Sequence, residues 1–169
     1  MILAGCSYRV LRYGSQGAPT VAIVTLENDS VEPGVELTVT RALRQEFLRQ
    51  GGPPLVSDPG RADFVIRGRV RPLETRSDSF STVALAVEYR VRMTLSLEVH
   101  AAGGQAVYVD RAALTGTEFY LASADVEAGR KNRREALQRI ADVLAARVHD
   151  ALGLYLVTAP ATAAARGPS

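Results

Sequence analysis

The chain has 169 residues, 47% of them hydrophobic and 22% charged, with 20 Lys and Arg against 18 Asp and Glu for a formal net charge of +2. That length suits one domain with a core of ordinary size, and the near-neutral balance excludes the broad positive field of a nucleic-acid binder. A single cysteine excludes an internal disulfide, two histidines without cysteine partners speak against a structural zinc site, and no apolar run approaches the ~20 residues that span a bilayer.

The first residues, Met1-Ile2-Leu3-Ala4-Gly5-Cys6, end in Leu-Ala-Gly-Cys, which resembles a bacterial lipobox. Small Ala4 and Gly5 leave room for a signal peptidase, and the Cys6 thiol is the acceptor for a diacylglyceryl group; the plain alternative is a free cysteine near a terminus. The basic and apolar regions of a full signal peptide are missing ahead of the box, so residues 1–5 read as a remnant of one. Ser7, a non-aspartate after the cysteine, points by the same resemblance to the outer membrane.

Thr20 to Leu26 is a short β-branched run that predicts a strand buried on both faces, inside the sheet and away from its edge. A polar turn through Glu27-Asn28-Asp29-Ser30 and Glu32-Pro33-Gly34 follows. Val35, Val39, Leu43 and Phe47 then recur at four-residue spacing, with Ala42 and Leu48 beside them, as in an amphipathic helix. Gly51-Gly52-Pro53-Pro54 stops that helix, and Asp58-Pro59-Gly60 makes another turn.

Asp63 to Leu73 alternates Phe64, Ile66, Gly68 and Val70 with Val65, Arg67, Arg69 and Arg71, a second strand that Pro72 frays or places at an edge. Glu74 to Thr82 reads as a flexible connection. Ala84 to His100 carries the strongest periodicity: Leu85, Val87, Tyr89, Val91, Met93, Leu95, Leu97 and Val99 face one way, and small or polar residues face the other. After the turn at Ala101-Ala102-Gly103-Gly104, Gln105 to Phe119 is the return strand of an antiparallel meander. Arg67, Arg69, Arg71, Arg90 and Arg92 fall on polar strand faces. Such rows are most often solubilising cross-strand pairs with residues like Glu88 and Glu98, with anion binding as the other reading.

Ser123-Ala124-Asp125 offers N-caps for a long helix along Leu137, Ile140, Ala141, Leu144, Val148, Ala151 and Leu152, expected to end at Gly153. Arg130, Lys131, Arg133 and Arg134 oppose the dipole in its first turns, a placement that invites contact with phosphate or an acidic partner. Glu127 and Glu135 stand close enough to neutralise part of the cluster, which makes a solvated face the simpler reading. Residues 158–169, rich in Ala, Pro and Gly, read as a disordered tail. No phosphate loop, HExxH, CxxC or Ser/His/Asp set occurs; His100 and His149 lack evident partners, and no metal site or enzyme is expected.

The order strand, helix, strand, strand, strand, helix implies an α+β fold of two layers, a four-stranded mixed or antiparallel sheet with two helices packed on one face. The chain is similar in this order to the LptE family of lipopolysaccharide-assembly lipoproteins, which begin with a lipidated cysteine followed by Gly-Tyr or Gly-Phe, where this chain has Cys6-Ser7-Tyr8. The similarity continues through Leu26-Glu27-Asn28, Glu32-Pro33-Gly34, Leu37-Thr38, Ala42-Leu43, Glu46-Phe47, Ala62-Asp63, Gly68, Glu88-Tyr89-Arg90-Val91 and Arg134-Glu135-Ala136-Leu137. The resemblance implies one domain over 6–157, lipid anchored at Cys6 in the outer membrane with its mass on the periplasmic side. It also implies a plug within an LptD-type β-barrel partner that helps lipopolysaccharide through, with no cofactor beyond the covalent lipid and no nucleic acid. Arg67, Arg69, Arg71, Arg90 and Arg92 are candidate contacts to lipopolysaccharide or the partner on the strength of facing and charge alone, since guanidinium forks suit phosphate. The alternative keeps the lipoprotein and drops the barrel: a periplasmic accessory module resembling the TolB amino-terminal domain or curli-secretion lipoproteins.

Overall fold

A computed structural model describes residues 19–51, 53–77, 88–101, 106–108 and 114–158. Cys6, residues 84–87 of the long strand, and the tail from 159 onward lie outside these described residues. The elements are β1 (Val21–Ile23), β2 (Glu27–Asn28), α1 (Val35–Arg49), a 3-10 turn (Pro59–Arg61), β3 (Phe64–Val70), β4 (Glu74–Ser77), β5 (Glu88–Ala101), β6 (Ala106–Tyr108), β7 (Thr115–Leu121) and α2 (Val126–Thr158).

β5 is the strand to which most others are zipped. Along one edge it pairs antiparallel with β3, from Phe64↔Ala101 to Val70↔Leu95, and then with β4, from Glu74↔Arg92 to Ser77↔Tyr89. Along the other edge it pairs antiparallel with β6, from His100↔Ala106 to Glu98↔Tyr108, and with β7, from Thr94↔Thr115 to Glu88↔Leu121. β1 and β2 join β3 in parallel. The seven strand segments therefore fall into four rows of one mixed sheet, the α+β layer expected.

The residues from Arg71 to Leu73 separate β3 from β4, because Pro72 has no N–H to donate, although Arg71 N still reaches Thr94 O at 2.9 Å. Glu74 to Ser77 thus belong to the sheet, which corrects the reading of a flexible connection over that part. Their polarity reflects the exposure of all four residues, and a strand can be exposed and still complete its ladder.

On the odd face of β5, Val91, Met93, Leu95, Leu97 and Val99 are buried against two helix stripes: Val39, Leu43 and Phe47 of α1, and Leu137, Ile140, Leu144 and Val148 of α2. At about 1.5–3 kcal/mol for each fully buried aliphatic or aromatic side chain, this layer is the dominant favourable term in the fold. Leu48 does not join it and is 70% exposed, because i+1 from Phe47 swings it onto the solvent side of the helix. α1 stops where expected, with Gly51 at φ 65 taking the left-handed conformation that suits glycine.

Two further expectations change. β1 is buried on both faces as predicted, yet among the described residues it ends the sheet. Its outer edge is closed by an irregular segment, with Val21 N donating to Pro54 O and Val56 N donating to Val21 O, each at 2.9 Å. The start of β1 is tied to that of β3 by Asp63, whose Oδ2 accepts from Thr20 N at 2.7 Å and Thr20 Oγ1 at 2.8 Å. Gly153 does not end α2: the helix continues to Thr158, and Gly153 is not among the positive-φ glycines. A glycine inside a helix costs only about 0.5–1 kcal/mol, which the flanking turns outweigh.

Candidate functional site

The even side chains of β5 point away from the helices, and register decides what stands beside each. Glu98 faces Arg67 on β3, Ser96 faces Arg69, Arg92 faces Glu74 on β4 and Thr117 on β7, and Arg90 faces Arg76 and Phe119. The predicted arginines of β3 and β5 therefore share one solvent-facing sheet surface, in two groups.

In the first group Arg69 pairs with Glu27 at 2.8 Å and with Asp29 at 3.7 Å, and Arg71 pairs with Asp29 at 3.3 Å. In the second, Arg92 lies 4.0 Å from Glu74, and the Arg90 guanidinium carbon sits 5.0 Å from the centroid of Phe119. Exposed pairs of this kind contribute about 0–1 kcal/mol each, so Arg69, Arg71 and Arg92 balance charge without being locked in place. Arg67 has no ion pair among the described residues.

Arg76 completes the second group and was not among the candidates, because its segment read as a connection. The alternation of Glu74 and Arg76 after Pro72 was the available signal. It stands directly across the ladder from Arg90 and has no ion pair among the described residues. Like charges placed opposite each other on a sheet are destabilising, and beside this pair Phe119 and Leu121 remain 42% and 55% exposed. The corner formed by Arg76, Arg90, Phe119 and Leu121 can neutralise an anion while offering apolar contact next to it.

The basic cluster of α2 is divided by the fold. The helix is capped by Asp125, whose Oδ1 accepts from Glu127 N at 2.9 Å and Ala128 N at 3.3 Å. Arg130 pairs with Glu127 at 2.8 Å and Lys131 with Glu135 at 3.7 Å, as the i+3 and i+4 spacing suggests. Arg133 turns inward: its Nε donates to Glu32 Oε2 at 2.7 Å, and its Nη1 donates to Tyr120 Oη at 2.9 Å and Thr75 Oγ1 at 3.2 Å. Burial would push this guanidinium down, but the hydrogen bonds with Glu32 and Tyr120 outweigh it and hold the pKa above the ordinary arginine value. Arg133 is thus a clamp joining the turn before α1 to β4 and β7, which its place in a basic run conceals.

Each histidine has a carboxylate neighbour close in sequence: His100 Nε2 is 3.1 Å from Glu98, and His149 Nδ1 is 3.5 Å from Asp150. Among the described residues no three His, Cys, Asp or Glu side chains could hold a metal ion. A groove of about 440 Å³ between α1 and α2 is lined by residues including Ala42, Glu46, Arg49, Asp142 and Ala146, and contains no nucleophile beside a base. The Arg49 hydrogen bond, then that from Gln50, holds the Glu46 carboxyl below the ordinary glutamate value against the opposing effect of burial. Among the described residues no helix is long and apolar enough to cross a membrane.

The family model of LptE, lipopolysaccharide-assembly, matches residues 18–152, which take in every strand, α1 and most of α2. The chain belongs to this family. Rare lipoprotein B from Shewanella oneidensis is similar in structure with a TM-score of 0.55 at 16% identity, over 78% of this chain and 96% of that one. A minor lipoprotein from Acinetobacter baumannii has a TM-score of 0.49 at 13% identity, over 82% of this chain and 94% of that one. At 16% identity the likeness to rare lipoprotein B speaks for the fold alone. No curated protein matches the chain. In this LptE-family chain the matched residues include all the arginines of the outer sheet face, whereas Cys6 lies ahead of the match.

Proposed function

We propose that this LptE-family protein is a non-enzymatic outer-membrane lipoprotein, anchored through lipid on Cys6, that plugs and assists an LptD-type β-barrel in lipopolysaccharide transport. It requires no cofactor beyond that lipid, and it faces the periplasm. Membership of the family supports the setting, and the two acyl signals of a processed lipoprotein cysteine are what stable anchoring needs. The observation that carries the ligand contact is the Arg76↔Arg90 pair, two like charges across one ladder beside exposed Phe119 and Leu121. Phosphate oxygens of a lipid headgroup offset that repulsion with charge-assisted hydrogen bonds, and the aromatic and aliphatic side chains accept the adjoining acyl chains. Arg67, which stands across from Glu98 without an ion pair among the described residues, extends the same surface towards the far end of the sheet.

Arg76→Glu tests this by moving two quantities in opposite directions. The substituted carboxylate would face Arg90, so stability should rise by up to about 1 kcal/mol, while binding to immobilised lipopolysaccharide should weaken by about tenfold or more. The pair Arg69→Glu with Arg90→Glu should also weaken binding and leave the far-UV circular dichroism unchanged. Unchanged lipopolysaccharide binding in both variants would overturn the assignment. Full-length tagged protein should bring down a large outer-membrane barrel; recovery of homo-oligomeric rings or a propeller protein in its place would refute the plug role.

A further inference from the structure

Among the described residues, the outer edge of β7 is where the sheet ends on the side away from β1. Leu95 N donates to Leu114 O at 2.9 Å, and the register β5–β7 then requires Gly116, Glu118 and Tyr120 to turn their backbone groups towards β5. Thr115, Thr117, Phe119 and Leu121 must therefore turn theirs outward. Such a row is a template for another strand. The usual protections are missing from Thr-Gly-Thr-Glu-Phe-Tyr-Leu: it has no proline and no lysine, and it has one charge among residues of high strand preference.

The protection comes from α2. Asn132 Nδ2 donates to Leu121 O at 2.8 Å, Arg139 Nη2 to Phe119 O at 3.3 Å, and Arg147 Nη1 to Thr115 O at 2.9 Å. These are three of the four outward carbonyls, and the donors come from helix positions seven and eight residues apart, two turns each, so they form one line along α2. Arg139 is fixed further by Glu118 at 3.2 Å. We infer that Asn132, Arg139 and Arg147 form a clasp that occupies the acceptors of the β7 edge and keeps β7 of a second copy from adding to the sheet. The excluded partner is a second copy because β7 is suited to pair with itself. Antiparallel pairing centred on Phe119 sets Phe119 against Phe119, Thr117 against Leu121 and Glu118 against Tyr120, so that the exposed apolar side chains of both copies would meet on one face with no like charges opposed.

The clasp is tested with the full chain by light scattering after size exclusion and by hydrogen exchange. N132A/R139A/R147A should show a mass at least double that of the wild type at equal concentration, and exchange at the amides of Thr117 and Phe119 should slow about tenfold or more on assembly. Adding Thr117→Pro removes an outward N–H without touching the β5 ladder and should return that variant to the wild-type mass. The single variants N132A, R139A and R147A, each retaining two contacts, should give smaller shifts and cover the case in which the triple variant folds poorly. The inference is overturned if the triple and single variants keep the wild-type mass and amide exchange, if assembly persists with Thr117→Pro, or if the wild type already assembles in a manner that Thr117→Pro disperses.

Discussion

Gly116 sets how closely α2 can lie on the sheet, and Gly116→Ala measures it. A Cβ at this position would sit 2.6 Å from Ile140 Cγ2 and 3.4 Å from Leu144 Cγ. The first separation is about 1 Å short of a good carbon contact, and Ile140 is buried in the core. Overpacking of this kind costs about 1–3 kcal/mol, while replacing glycine restricts the unfolded chain and returns about 0.4–1 kcal/mol. The net expectation is a loss of about 1–2 kcal/mol. Ile140→Ala alone should cost about 2–5 kcal/mol by opening a cavity. In Gly116→Ala/Ile140→Ala the clashing methyl is gone and the new one partly fills its place, so the double variant should be more stable than the sum by about 1–2 kcal/mol. Urea unfolding followed by far-UV circular dichroism at a common slope gives all terms of the cycle. Additivity within about 0.5 kcal/mol would refute the claim that the missing side chain of Gly116 seats α2.

Two other contacts give separable predictions. The Glu32–Arg133 pair is partly buried, with side chains 22% and 24% exposed, so its coupling should exceed that of a surface pair. A cycle of Glu32→Gln and Arg133→Met read by urea unfolding should give about 1–2 kcal/mol, and a coupling near zero would show that the clamp is incidental. Glu46 has a lower pKa folded than unfolded, so its contribution is fully present above the unfolded value and is lost as pH falls through the folded one. The advantage of the wild type over Glu46→Gln in urea midpoint should be steady near neutrality and fade on acidification below the ordinary glutamate range. An advantage that grows on acidification would contradict the assigned direction.

Where a side chain answers to its own periodicity, the sequence was readable. Val91 to Val99 had to face the helices because strict alternation leaves no other face for them, and Val39, Leu43 and Phe47 had to face the sheet for the same reason at helical spacing. What could not be read depended on partners remote in sequence. β1 looked interior because burial on both faces normally means neighbours on both edges, and here Pro54 and Val56 cover the outer one. Arg133 looked like one of four similar cations until Glu32, 101 residues away, took it out of the set. Arg76 was hidden because four exposed polar residues carry no hydrophobic pattern, whichever backbone they adopt.

The same alternation makes the candidate surface and the core depend on one another. A one-residue slip of β3 against β5 would turn Arg67 and Arg69 towards Leu43 and Phe47 and send Ile66 and Val70 into water. Burying unpaired guanidinium groups costs far more than any surface ion pair returns, so the arginines oppose wrong registers even where they contribute little to the right one. A long strand with one apolar and one arginine-bearing face therefore helps to fix its own pairing. At Arg76↔Arg90 the ladder sets two guanidinium groups opposite each other, and for that reason it is the first place to look for a bound anion.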